Sequence, residues 1–554
     1  MGRYSIGRLR KTMVVIFTCL SGFSVSKGLV SIIDSGFGVG NVVGAFFPTV
    51  VCLVSLLFFA RPDLFPLGLR SRKIGLKEGL LTLFIGLLIA FSPLIDVQSL
   101  TRLLVLLLAL IGLLATLYLI ATSDDVWGII AFLFTIPFLS YVQWEIPFLQ
   151  PGYGDFITVS YVSLLLVMAV AAGRILKDRV GLVRTSLDKY VLAFIIILLL
   201  SSITSPDPSK SFKMFFQLVI MILTFYLVSN HIHTKKDFML MVETLVFFEV
   251  FQCFMYGYFH LKGVEFSFMG LIEDRGGAIL MPRAPQVLLG LTPISISLSI
   301  VYSSRSMKKV YYILATLVFL SFILITQTRT FLVTLAIGAP MILFYRRDKR
   351  WLLVGLIVAI FAILASGTSE LFFQRHKELM SLEGWERALS MRLDGWRAAL
   401  GMMRDHPFTG VGLGMWEEFI HLYGTPFKWV IEGQRIYVYI TSAHQAYLQY
   451  GAEAGVGAFL LSLLIMLKAQ LTTFSAIKRA KDDDIHTIAV GLAWTCIGSL
   501  IWGIYSSPRG YVDYAIESWG LLAIIIAMDR VAKEHTHLNQ VTTNINRTKG
   551  KKLI

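Results

Sequence analysis

The stretch Tyr190-Val-Leu-Ala-Phe-Ile-Ile-Ile-Leu-Leu-Leu-Ser-Ser-Ile-Thr204 is followed, after a short polar link, by Lys213-Met-Phe-Phe-Gln-Leu-Val-Ile-Met-Ile-Leu-Thr-Phe-Tyr-Leu-Val-Ser229. Each run approaches the ~20 apolar residues that a helix needs to cross a bilayer. A spanning helix also satisfies its own backbone groups, which lipid cannot do. The whole chain repeats this pattern. Hydrophobic residues make up 56% of its 554 residues and charged residues 15%, against roughly 25% charged in soluble domains. That balance excludes a disordered chain and argues against an ordinary soluble enzyme. The net charge of +15 suits Lys and Arg holding short loops on the cytoplasmic side, rather than nucleic acid. Cys19, Cys52, Cys253 and Cys496 all lie in apolar stretches without CxxC spacing or clustered His. Neither a disulfide framework nor a zinc site is expected.

The same criterion gives about sixteen apolar segments. They lie near 13–31, 41–60, 79–95, 103–121, 126–142, 156–172, 190–204, 213–229, 238–258, 286–303, 310–326, 330–345, 351–366, 453–472, 487–505 and 514–529. The first is read as an uncleaved helix rather than a signal peptide, because Ala-x-Ala-like cleavage chemistry is missing. Alternate connections are basic, among them Arg174/Lys177/Arg179/Arg184/Lys189, Arg305/Lys308/Lys309 and Arg346/Arg347/Lys349/Arg350. This alternation places both termini in the cytoplasm. The expected architecture is an all-α polytopic membrane helix bundle with one long outer loop containing amphipathic helices. Its parts are N-terminal membrane helices over 1–125, a core bundle over 126–366, an outer catalytic loop over 367–452, C-terminal membrane helices over 453–530 and a basic cytoplasmic tail over 531–554.

A connection as long as 367–452 is uncommon unless it carries function. Within it Trp385, Leu389, Leu393, Trp396, Leu400 and Met403 recur at helical spacing. This is one face of an amphipathic helix, ended by His406-Pro407 and lying on the membrane surface or the bundle rim. The outer side also gathers Arg275, Arg283, Arg329, Arg392 and Arg509, with His444 in Thr441-Ser-Ala-His-Gln-Ala-Tyr-Leu-Gln-Tyr450. Arginine offers a planar fork of donors suited to phosphate oxygens. Histidine can take a proton near neutral pH. Singly, such residues have plainer uses: an Arg at a helix end snorkels to lipid phosphate, and a His before a helix is often a polar surface residue. Arg329 sits in a turn so short that it lies against the bundle. Gly410-Val-Gly-Leu-Gly414 has the look of a phosphate loop, but no strand is expected before it. A tight turn after Pro407 is the better reading.

Ser390-Met-Arg392-Leu-Asp-Gly-Trp396-Arg-Ala-Ala-Leu400, with His406-Pro407-Phe-Thr-Gly410-Val-Gly412-Leu-Gly414 after it, resembles the long periplasmic loop of the O-antigen ligase/polymerase superfamily. The later His444-Gln445-Ala446-Tyr447-Leu448 and Glu453-Ala-Gly455 resemble that family's His-Asn-x-Tyr-Leu and Glu-x-Gly elements. Thr328-Arg329 is similar to its Ser-Arg turn. Gln445 and Thr328 depart from the usual Asn and Ser. The resemblance covers roughly 260–470.

The resemblance implies a GT-C-like, metal-independent glycosyltransferase without cofactors, in the bacterial inner membrane with its site facing the periplasm. It implies transfer of a glycan from an undecaprenyl-diphosphate donor to an acceptor hydroxyl, on another glycan or on lipid A–core. His444 is then the base. Arg329 and Arg392 hold the diphosphate, with Arg283 and Arg275 matching less closely. Gln445, Tyr447 and Glu453 support them, and no metal is bound. Ligase, polymerase and protein O-glycosyltransferase differ only in acceptor. The alternatives are a transporter of a small anion such as bicarbonate, for which internal repeats would be expected, and a structural assembly component.

Overall fold

The computed structural model describes residues 100–122, 126–133, 135, 159–178, 183–261, 284–303, 306–326, 334, 382–431, 434–505 and 519–533. The helices are α1 (Leu100–Thr122), α2 (Val159–Asp178), α3 (Asp188–Ile203), α4 (Pro208–His231), α5 (Lys235–Leu261), α6 (Ala284–Val301), α7 (Met307–Thr326), α8 (Leu382–Asp405), α9 (Trp416–Tyr423), α10 (Ala446–Arg479) and α11 (Asp483–Tyr505). A further helical segment covers 519–533. Among the described residues, three helices are long and apolar enough to cross a membrane: Pro208–His231, Ala446–Arg479 and Asp483–Ile501. Shorter apolar helices lie over Ala109–Thr122, Val162–Leu176 and Gly290–Val301. The segments expected near 13–31, 41–60, 79–95 and 351–366 lie outside the described residues, and the count of sixteen with them.

One element departs from the all-helical expectation. Strands β1 (Phe427–Ile431) and β2 (Gln434–Val438) pair antiparallel, with Ile431 opposite Gln434. The signal is in the sequence: two short runs rich in aromatic and β-branched residues, separated by Glu432-Gly433. Glu-Gly shares only the glycine with the Asn-Gly and Asp-Gly pairs usual in two-residue hairpins, so this signal is weaker than theirs.

The described residues fall into two compact units. The first comprises those within 1–182, 230–282 and 298–319. There α1 packs on α2, and Arg174 donates to the carbonyl of Ile120 at 3.0 Å. Buried Glu243 on α5 accepts from Lys308 at 2.8 Å through one oxygen and from the Tyr302 hydroxyl through the other, so the buried carboxyl is paired with a cation.

The second unit comprises those within 183–229, 283–297 and 320–554. Helix α10 is its axis and packs against α3, α8, α9 and α11. Helix α11 approaches α6 through small residues. A Cβ on Gly491 would come within 2.3 Å of Ser297 Oγ, and Thr495 donates to the Gly290 carbonyl at 2.6 Å. Close approach at small residues with hydroxyl bonds is how helices adhere in lipid, where burial of apolar surface gives no drive. At the other end, Arg479 donates to Asp529 at 3.0 Å and Arg530 to the Ser229 carbonyl at 2.8 Å.

Candidate active site

Helix α8 supplies the first wall. Its buried face is Gly395, Ala398, Ala399, Met402 and Met403, whereas Leu400 is 53% exposed. The face expected from the large residues is therefore rotated. Small side chains let α8 come close to the segment before α10. A Cβ on Gly395 would lie 3.2 Å from Ile440 Cδ1 and 3.3 Å from the Ala443 carbonyl oxygen. Arg392 stands one turn earlier on this side of the helix, since residues three apart share a face. Ala398, Ala399, Met402, Val411, Trp416, Ile440 and Ala443 form one buried cluster. The Trp416 indole N–H donates to the Ile440 carbonyl at 3.0 Å.

Helix α8 ends as the His406-Pro407 signal predicts. The Asp405 carboxyl at its last residue is held below the usual carboxylate range by its hydrogen bond from Arg404. The chain then turns through three glycines in the left-handed region, Gly410 at φ +66°, Gly412 at +108° and Gly414 at +75°. A side chain at Gly410 would lie 2.3 Å from the Glu453 backbone. The amides of this turn are already committed. Val411 donates to the Ala452 carbonyl at 2.9 Å and Gly412 to the Glu453 carbonyl at 3.1 Å. Gly414 donates to Glu453 Oε2 at 2.9 Å. This is a tight turn docked on α10, not a phosphate cradle. The facing ends of α3 and α4 close its other side: Ser211 donates to the Leu413 carbonyl and Ser201 to the Glu453 carbonyl, both at 2.7 Å.

Glu453 is thus a buried junction. Its Oε1 accepts from Gln449 Nε2 at 2.6 Å, and Gln449 Oε1 accepts from the Ala443 amide at 2.7 Å. One relay, Gly414 to Glu453 to Gln449 to Ala443, ties the glycine turn to the residue before His444. Two residues later α10 breaks. Gly455 stands at φ +85°, ψ +172°, and the Val456 amide donates to the Pro407 carbonyl at 2.8 Å instead of within the helix. Supporting residues that the sequence did not single out are Gln449, Ser201 and Ser211. Ser201 and Ser211 depend on partners 252 and 202 positions away, which no local pattern encodes.

His444 has φ +48°, the one non-glycine residue among those described with a positive φ. That conformation is rare outside Gly, Asn, Asp and His, and it concentrates where the surrounding structure imposes it. Helix α10 begins at Ala446, and Gln445 is its N-cap, its side chain accepting from the Leu448 amide. Gln at the family's Asn position therefore serves as a cap. His444 lies before the helix and does not share a helical face with Tyr447. Tyr447 is buried and turned toward α11, with its hydroxyl oxygen 2.7 Å from where a Cβ on Gly503 would stand. The structure thus brings together Arg392's helix, His444, Gln445 and Glu453. Arg329, Arg283 and Arg275 lie outside the described residues.

Residues 314–463 match the family model described as O-antigen ligase. The chain carries an O-antigen ligase domain. That domain spans Arg329, Arg392, the glycine turn, His444 and Glu453, and leaves Arg275 and Arg283 outside it. No curated protein matches the chain. The match and the apolar helices make this an integral membrane protein, with a domain of the glycan ligase or polymerase kind and hence of glycosyltransferase type. A small-anion transporter finds no support here.

Proposed function

We propose that the chain transfers a glycan from an undecaprenyl-diphosphate donor to an acceptor hydroxyl, from a GT-C-like bundle in the inner membrane with its site on the periplasmic side. The observation that carries the reading is the setting of His444. Inside the O-antigen ligase domain, it is held in a left-handed conformation beside Ala443, against the helix that bears Arg392. The acceptor oxygen attacks the anomeric carbon as the bond from that carbon to the diphosphate oxygen breaks. His444 takes the acceptor's proton. The electron pair leaves on the diphosphate, whose growing charge we assign to Arg392 and Arg329 and, on the weaker match, to Arg283 and Arg275. The donor already carries its leaving group, so charge stabilisation and positioning suffice without a metal. Glu453 and Gln445 hold the backbone on either side of His444, and Tyr447 seats the helix behind it.

The test is to incubate the purified protein in lipid nanodiscs with an undecaprenyl-diphosphate glycan and candidate acceptors. Transfer to lipid A–core identifies a ligase, and a ladder of longer lipid-linked glycans a polymerase. No consumption of donor with any acceptor would sink the assignment.

A further inference from the structure

Phe408 is 88% exposed, the most exposed large apolar side chain among the described residues. Single exposed apolar residues are ordinary on soluble surfaces, so exposure alone says little. Its position says more. The Pro407 carbonyl accepts from Val456, the first residue after the break in α10, and a Cβ on Gly455 would lie 2.5 Å from the Phe408 carbonyl oxygen. From Val456 the helix runs unbroken to Arg479, roughly 34 Å at 1.5 Å per residue and enough to cross the ~30 Å hydrocarbon core. Its exposed apolar residues Val456, Leu460, Leu464, Leu467 and Leu471 recur at helical spacing. They form one outward stripe facing lipid, and Phe408 stands at its head.

A second stripe ends at the same level. Helix α3 packs on α10 and exposes Leu192, Ile196, Leu200 and Ile203. Ser201 donates to the Glu453 carbonyl, which fixes the end of α3 beside the break. Directly after Ile203 the exposed residues turn polar, with Thr204 and Asp207. On the loop side of Phe408 the same change occurs, with exposed Arg404, Asp405 and His406. An apolar-to-polar change therefore falls at Ile203–Thr204 on α3 and at Phe408–His406 on the loop, both beside the break in α10.

We infer that the Pro407–Phe408 turn is an interfacial anchor whose occupant is the lipid bilayer itself, the Phe408 ring entering the margin of the acyl chains. Aromatic rings favour this depth in membrane proteins. The anchor fixes the glycine turn at headgroup level. On the reading proposed above, that is also where a lipid-linked diphosphate lies, but the anchor itself requires only the span and not glycan transfer.

The test uses the full chain with its four cysteines replaced, carrying Phe408→Cys labelled with a small fluorophore. It is reconstituted in nanodiscs of phosphatidylethanolamine and phosphatidylglycerol. Tyr437→Cys, at an exposed position on β2, is the control. Lipid bearing a doxyl group high on the acyl chain should quench the label at 408 more strongly than at 437, and aqueous iodide should show the reverse order. Doxyl quenching at 408 no greater than at 437 overturns the anchor, whether the label then proves open to water or shielded by protein. If the cysteine variant misfolds, Phe408→Trp keeps an aromatic ring. Its added emission over the wild-type chain should fall with brominated acyl chains, and added emission indifferent to bromine overturns the proposal equally.

Discussion

Replacing Glu453 by Gln tests whether a carboxylate holds the glycine turn in place. Both carboxylate oxygens accept, one from the Gly414 amide and one from Gln449 Nε2. Gln offers one acceptor and one donor. Gln449 cannot flip to compensate, because its own oxygen already accepts from the Ala443 amide. Glu453→Gln therefore leaves one buried donor facing another, at a cost of about 1–3 kcal/mol. The double change Glu453→Gln with Gln449→Glu restores every pairing. The carboxylate now at position 449 would accept from the Ala443 amide and from the side-chain amide now at position 453, whose oxygen would accept from Gly414. The single variant should melt lower than the wild type, and the exchanged pair should recover most of that loss. Melting in nanodiscs can be followed with a thiol-reactive dye, since Cys253 and Cys496 are buried and free. The exchange should also restore transfer activity lost by the single variant. A single variant that melts and turns over like the wild type, or an exchanged pair no better than the single, would refute the relay.

At Gly455, φ +85° and the nearby Phe408 carbonyl oppose any side chain, so Gly455→Ala should destabilise by roughly 1–3 kcal/mol from the backbone alone, read as a lowered melting temperature. His444→Asn, which tolerates the left-handed backbone better than Ala, should lower transfer by roughly 10²–10⁴-fold while donor binding persists; wild-type turnover would place the base elsewhere. Arg392→Ala should weaken transfer by about 2–5 kcal/mol through uncompensated diphosphate charge, with Arg392→Lys a poor rescue, at equal protein level in membranes. A cysteine at Glu417, in a chain without native cysteines, should react with an impermeant reagent from the outside; reaction only after permeabilisation would reverse the orientation.

The helices that cross or line the membrane were legible because each is a long apolar run bounded by charge. Segments expected near 190–204, 213–229 and 487–505 correspond to Asp188–Ile203, Pro208–His231 and Asp483–Tyr505. The loop was harder. Reading α8 by its large residues rotated its face, since Gly395, Ala398 and Ala399 carry little hydrophobic weight yet make the closest packing. His444, Gln445 and Glu453 could be picked out as residues. The left-handed turn at His444 and the Gln449 link could not: the partners of Gln449, Ala443 and Glu453, are only six and four positions away, but nothing in those residue types marks them as bonded.

The break at Gly455 makes the loop and a span one mechanical piece. The Val456 amide that would have continued the helix is bonded to Pro407 instead. A helix longer than the local hydrocarbon thickness tilts to fit a thinner bilayer. Tilting this one moves Val456, draws Pro407 with it, and shifts the glycine turn that Glu453 links to Ala443. The acyl-chain length of the host membrane thereby becomes an input to the geometry around His444.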